Sequence, residues 1–113
     1  MYNKITKCRA VSTNVKLLPE VLVQMKLAPQ WTLKDESRLC RETIKFKDFE
    51  TTWSFLNQLS MRAHLWGHHP TISTTYNKVD LELTTHDIEG GPAISDIDIK
   101  MAKRIEHYVN LYK

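Results

Sequence analysis

No stretch of this chain runs apolar for 18 residues or more, which excludes an ordinary membrane-spanning helix. Cysteine is nearly absent. Cys8 and Cys40 are the only two in 113 residues, too few for a disulfide framework, so free thiols in a reducing compartment are expected. Glycine occurs three times, and its one pair, Gly90-Gly91, lacks the Gly-x-x-x-x-Gly-Lys context of a phosphate-cradling loop. Acids are missing from residues 1–19, which hold Lys4, Lys7, Arg9 and Lys16, whereas the rest of the chain carries 12 basic and 13 acidic side chains. The body is therefore close to neutral. With no basic stripe, direct nucleic-acid contact has little electrostatic support.

The basic stretch 1–17 reads as a flexible leader, either a frayed tail or an organelle-targeting segment. A cytoplasmic or mitochondrial location follows from that choice. An apolar fraction of 42% spread over the remainder predicts one packed domain over residues 18–113.

Leu18, Leu22 and Met25 recur at helical spacing around Pro19, predicting a short helix that ends by Ala28-Pro29. Trp31 and Leu33, then Leu39 through Phe46, read as two strands of a hairpin, with Arg38, Arg41 and Lys45 on a solvated face. Asp48 is a natural N-cap for a long helix predicted over 49–66, which Gly67 closes. Thr71 through Thr75 is β-prone. From Lys78 to Thr85 the chain alternates, placing Val79, Leu81 and Leu83 on one face and Asp80, Glu82 and His86 on the other. Ser95-Asp96-Ile97-Asp98 has the form of a capping box before a final helix with an apolar stripe from Ile97 to Tyr112. This order predicts an α+β fold in which helices cover one face of a largely antiparallel sheet. The other face is expected to be wet or closed by another subunit.

Three of the five histidines fall within His64-Leu65-Trp66-Gly67-His68-His69-Pro70. If the long helix reaches His68, then His64 and His68 share a face. A reversal at Pro70 could bring His86 to the same place. A metal centre needs several converging ligands, and the segment lacks the glutamate of His-Glu-x-x-His. Acid/base chemistry asks for less convergence, and Asp87 or Asp96 could hold an imidazole tautomer. A purely structural reading also stands, with His68 satisfied at a helix C-terminus. Cys40 and Ser95 have local structural roles and are not singled out as nucleophiles, and Asp80 with Glu82 mark a solvated strand face.

His64, His68-His69-Pro70, Tyr76, His86 and Asp96, in that order, resemble the signature of the pterin-4a-carbinolamine dehydratases. The likeness extends through Trp31, Phe46-Lys47-Asp48-Phe49, Tyr76-Asn77-Lys78-Val79, Leu83-Thr84-Thr85-His86 and Asp96-Ile97, roughly residues 18–110. It implies a four-stranded antiparallel sheet with helices packed on one face, assembled as a homodimer or homotetramer. The implied reaction is dehydration of 4a-hydroxytetrahydrobiopterin, or a related carbinolamine, to quinonoid dihydropterin. No metal and no organic cofactor is implied, since the pterin is the substrate. By this resemblance His68, His69 and His86 are the active-site histidines, with His68 and His86 assisting hydroxide departure and His69 contacting the pterin or accepting the N5 proton. His64, Pro70, Thr71, Tyr76, Thr85, Asp87 and Asp96 are the substrate-binding or supporting positions. This chain departs from the family at His64, where many members carry glutamate, at Gly67, and at Thr71-Ile72. Some members resemble a dimerisation cofactor for a transcription factor, so an interaction module is the alternative function.

Overall fold

The computed structural model describes residues 18–86 and 92–113; the leader, Asp87 and Gly90-Gly91 lie outside the described residues. Along the chain come α1 (Leu18–Gln24), β1 (Trp31–Lys34), β2 (Arg38–Lys45), α2 (Phe49–Trp66), β3 (Thr71–Thr75), β4 (Lys78–Leu83) and α3 (Asp96–Tyr112). The strands form one antiparallel sheet in the order β1-β2-β4-β3. Because α2 intervenes between the two hairpins, β4 returns to the middle of the sheet and leaves β3 at an edge. The expected fold class is the one observed.

The alternation of β4 sets its packing. Val79, Leu81 and Leu83 are buried, and they join Leu39 and Ile44 of β2 in one core with Phe55, Leu56 and Leu59 of α2 and Met101, Ile105 and Val109 of α3. The opposite face carries charge pairs across strands, Lys34 with Glu42 and Arg38 with Glu82. It is the wet face. Cys40 points to that side yet is 1% exposed, and burial, with Glu82 nearby, pushes its thiol above the usual value. A protonated, covered thiol is a poor nucleophile.

One sequence expectation fails on this sheet. Arg41 is not on the solvated face: it lies opposite Leu81, and its Nε donates to Glu106 Oε2 of α3 at 2.9 Å. The register shifts between Arg41 and Ile44, and Thr43 adopts φ 53° there. An extra residue in β2 reverses the in/out pattern locally. Trp31 Nε1 also donates to Glu106 Oε2, at 3.1 Å, so one carboxylate ties β1 and β2 to the final helix.

Helix α2 begins and ends as its sequence dictates. Asp48 Oδ1 accepts from Thr51 N at 2.7 Å, and hydrogen bonds from Thr51 hold the carboxyl below its usual range. That capping contribution is complete above the carboxyl's unfolded-state value and fades as pH falls through the lower folded one. At the other end Gly67 takes φ 64°, ψ 30°, its N–H donates to His64 O, and His68 N–H donates to Ala63 O at 3.1 Å. This is the paired closure of a Schellman motif. A Cβ at Gly67 would meet the left-handed penalty, so Gly67→Ala should cost about 1–2 kcal/mol. A lower denaturant midpoint with an unchanged slope would record it.

Candidate active site

The Gly67 turn decides what the histidines do. Since α2 stops at Trp66, as expected, His68 leaves the helix and the condition for sharing a helical face with His64 is not met. The chain instead runs into β3, whose Thr71 pairs with Glu82 of β4. Continuing that register backwards brings His68 alongside Thr85. The hydrogen bonds confirm their proximity, because both side chains reach the same carboxylate of α3.

That carboxylate is Asp98. Its Oδ1 lies 2.6 Å from His68 Nε2, and its Oδ2 accepts from Thr85 Oγ1 at 2.7 Å and from Ser95 N at 2.9 Å. Asp98 and Ser95 are 0% exposed, Thr85 3% and His68 8%. Since the Thr85 hydroxyl spends its hydrogen on Asp98, the Ser95 Oγ contact with Thr85 Oγ1, at 2.6 Å, has Ser95 as donor. An ionised carboxylate only accepts, so it holds the proton of His68 on Nε2 and leaves Nδ1 as the nitrogen with free chemistry. Asp98 also sits in the first turn of α3, where the helix dipole favours negative charge.

Asp98 was missed as a site residue, although Ser95-x-x-Asp98 was read as a cap. Its carboxylate does serve the cap, through Ser95 N–H, while its other oxygen holds the imidazole. Asp96, the carboxylate named from sequence, is exposed and accepts from Ile97 N at 3.0 Å. Asp87, the other, lies outside the described residues.

The remaining positions divide by place. His69 and His86 are both exposed, each one residue beyond an inward-facing partner, His68 and Thr85 respectively. His64 is exposed on the last turn of α2; Pro70 is half-buried, and Thr71 is exposed at the start of β3. Tyr76 does not join this group within the chain. It occupies the turn at the far end of the β3–β4 hairpin, five residues from Thr71 and so about 16 Å along the strand. There its ring stacks on Phe49, with centroids 6.5 Å apart and planes 12° from parallel. Among the described residues no three His, Cys, Asp or Glu side chains are grouped to hold a metal ion.

Comparison with known proteins identifies the family of the chain. The family model described as pterin 4 alpha carbinolamine dehydratase matches residues 16–108. A Saccharomyces cerevisiae protein named "Putative pterin-4-alpha-carbinolamine dehydratase" is 44% identical, with 97% of each chain covered. A Novosphingobium aromaticivorans protein of the same name is 35% identical over 72% of this chain and 81% of its own. The crystal structure of a Brucella melitensis "transcriptional coactivator/pterin dehydratase" superposes with a TM-score of 0.74 at 30% identity, covering 88% of this chain and 99% of that one. The chain belongs to the pterin-4a-carbinolamine dehydratase family.

Proposed function

We propose that this protein dehydrates a pterin-4a-carbinolamine such as 4a-hydroxytetrahydrobiopterin to the quinonoid dihydropterin. The reaction removes the N5 proton and protonates the hydroxide leaving C4a. The observation that carries the reading is the buried His68–Asp98 pair at 2.6 Å, set beside two exposed imidazoles. A carboxylate that fixes one imidazole nitrogen both sets the tautomer and stabilises the imidazolium formed during proton transfer. His68 works through Nδ1, which takes up a proton to form the imidazolium that Asp98 stabilises and delivers it to the leaving hydroxyl. His69 follows His68 and His86 follows Thr85, the two residues that meet on Asp98, so both exposed imidazoles flank the same carboxylate-held junction. In this reading His68 and His86 assist departure of the hydroxyl, and His69 accepts the N5 proton or orients the ring. Thr85 supports the pair through its hydrogen bond to Asp98, and Pro70 fixes the backbone that follows His69.

The assay generates the carbinolamine in situ and follows its loss spectroscopically against the unaided rate. The parent should accelerate dehydration, and His68→Ala should remove most of that acceleration. No enzyme-dependent rate with the parent ends the proposal.

A second reading has its own support. The Brucella relative is titled a coactivator as well as a dehydratase, and α2 exposes Phe49, Trp53, Met61 and Leu65 at spacings of four and eight residues. Such a stripe suits self-association into the expected dimer or tetramer, or a helical partner. Inactivity toward authentic substrate together with selective capture of one protein would favour the module.

A further inference from the structure

Basic side chains crowd the seam between α2 and α3 around Trp66, at a cavity whose lining includes neither His68 nor Asp98. Around the Trp66 ring stand Lys100 Nζ at 4.6 Å, Arg62 Cζ at 5.0 Å and Arg104 Cζ at 5.8 Å from the centroid. Trp66, Lys100, Lys103, Arg104 and His107 line a cavity of about 320 Å³. On α3 the last four are spaced i, i+3, i+4 and i+7, which puts them on one face. None of the residues lining this cavity is acidic. Of the carboxylates on the helix, Asp98 is engaged by His68 and Glu106 by Arg41 and Trp31, while Asp96, four residues before Lys100, sets one negative charge near the start of this face against Lys100, Lys103 and Arg104.

One cation satisfies an indole face, and like charges four apart on a helix, such as Lys100 and Arg104, repel each other. Three cations on one ring, with Lys103 and His107 beside them, therefore form an arrangement that an anion would relieve. Two of the groups are already held in place. Arg62 Nε donates to Tyr108 Oη at 2.9 Å, and Lys103 Nζ donates to Met25 O at 3.3 Å. The charge is also local, since the chain beyond residue 19 has 12 basic and 13 acidic side chains. A compact polyanion fits such a spot better than an extended nucleic acid or a membrane surface.

We propose that this groove binds a small molecule carrying two or more contiguous phosphates. The guanidinium fork of Arg104 engages phosphate oxygens in a pair, Lys100 and Lys103 add point charges, and Arg62, outside the cavity lining, adds to the positive potential from across the Trp66 ring. The inference stands independently of the reaction assigned to the histidines.

Calorimetric titration with inorganic triphosphate and with orthophosphate, at matched ionic strength, tests it. Triphosphate should bind at least tenfold more tightly, and the double variant K100Q/R104Q should lose tenfold or more of that affinity. Lys34→Gln, on the opposite face of the sheet, should change it less than twofold. A parallel titration with a nucleoside triphosphate separates the sources: tighter binding than inorganic triphosphate assigns a nucleotide, equal binding a free polyphosphate. In the parent, the indole N–H resonance of Trp66, assigned with Trp66→Phe, should move on addition of triphosphate, a readout that does not depend on how the double variant folds. Equal affinity for the two anions, equal affinity of parent and double variant, or a stationary Trp66 resonance overturns the proposal.

Discussion

Asp98→Ala is expected to lower the stability of the fold by about 3–5 kcal/mol, the summed cost of leaving several buried donors without an acceptor. Three donors lose their acceptor at once: His68 Nε2, the Thr85 hydroxyl and Ser95 N–H. All three belong to residues buried at the junction of sheet and helix, where water cannot easily replace the carboxylate. Asp98→Asn separates the structural effect from the chemical one. It keeps the shape and one acceptor oxygen for Ser95 and Thr85, but turns an amide NH2 toward His68. The imidazole must then carry its proton on Nδ1, and dehydration should fall by about 10²-fold or more, with a smaller loss of stability. Urea unfolding and the carbinolamine assay on both variants check this. Parental stability in Asp98→Ala would contradict the network, and a parental rate in Asp98→Asn would remove His68 Nδ1 from the mechanism.

His86→Ala and His69→Ala should show the reverse pattern. Both side chains are exposed, so stability should stay within about 0.5 kcal/mol of the parent. If these imidazoles exchange protons with the pterin, each substitution should cost about 10²–10⁴-fold in rate. The rate constants and thermal midpoints of the two variants measured together decide it. Near-parental turnover in both would leave His68 without the companions that the reaction requires.

The elements with strong local patterning were readable from residues alone. Asp48 and Gly67 bracket α2 at Phe49–Trp66 as expected, and the β4 alternation buries Val79, Leu81 and Leu83. Strand ends were less legible: Thr85 reads as the last strand residue, but β4 stops at Leu83 and Thr85 makes only an isolated bridge with Ala93. Arg41 was misplaced because its inward direction depends on a β2 irregularity and on Glu106, 65 residues away. Asp98 escaped for a different reason. Its capping role was a sufficient local explanation, and it hid the stronger clue that Asp98 shares the apolar face of α3 with Met101, Ala102 and Ile105. A carboxylate on a buried stripe demands a partner, and sequence spacing alone does not name one. Tyr76 shows the converse: nearness in the order of motif residues carried no nearness in space, because a hairpin lies between.

The double duty of Asp98 bears on how relatives that have abandoned chemistry should be recognised. A descendant kept only as an interaction scaffold would still be obliged to retain this carboxylate, because the start of α3 and the adjoining sheet end depend on it. Its presence therefore certifies architecture, whereas on the proposed mechanism selection can release the exposed rings of His69 and His86 as soon as turnover ceases to matter, which makes those two positions the informative ones for telling a working enzyme from its retired cousin.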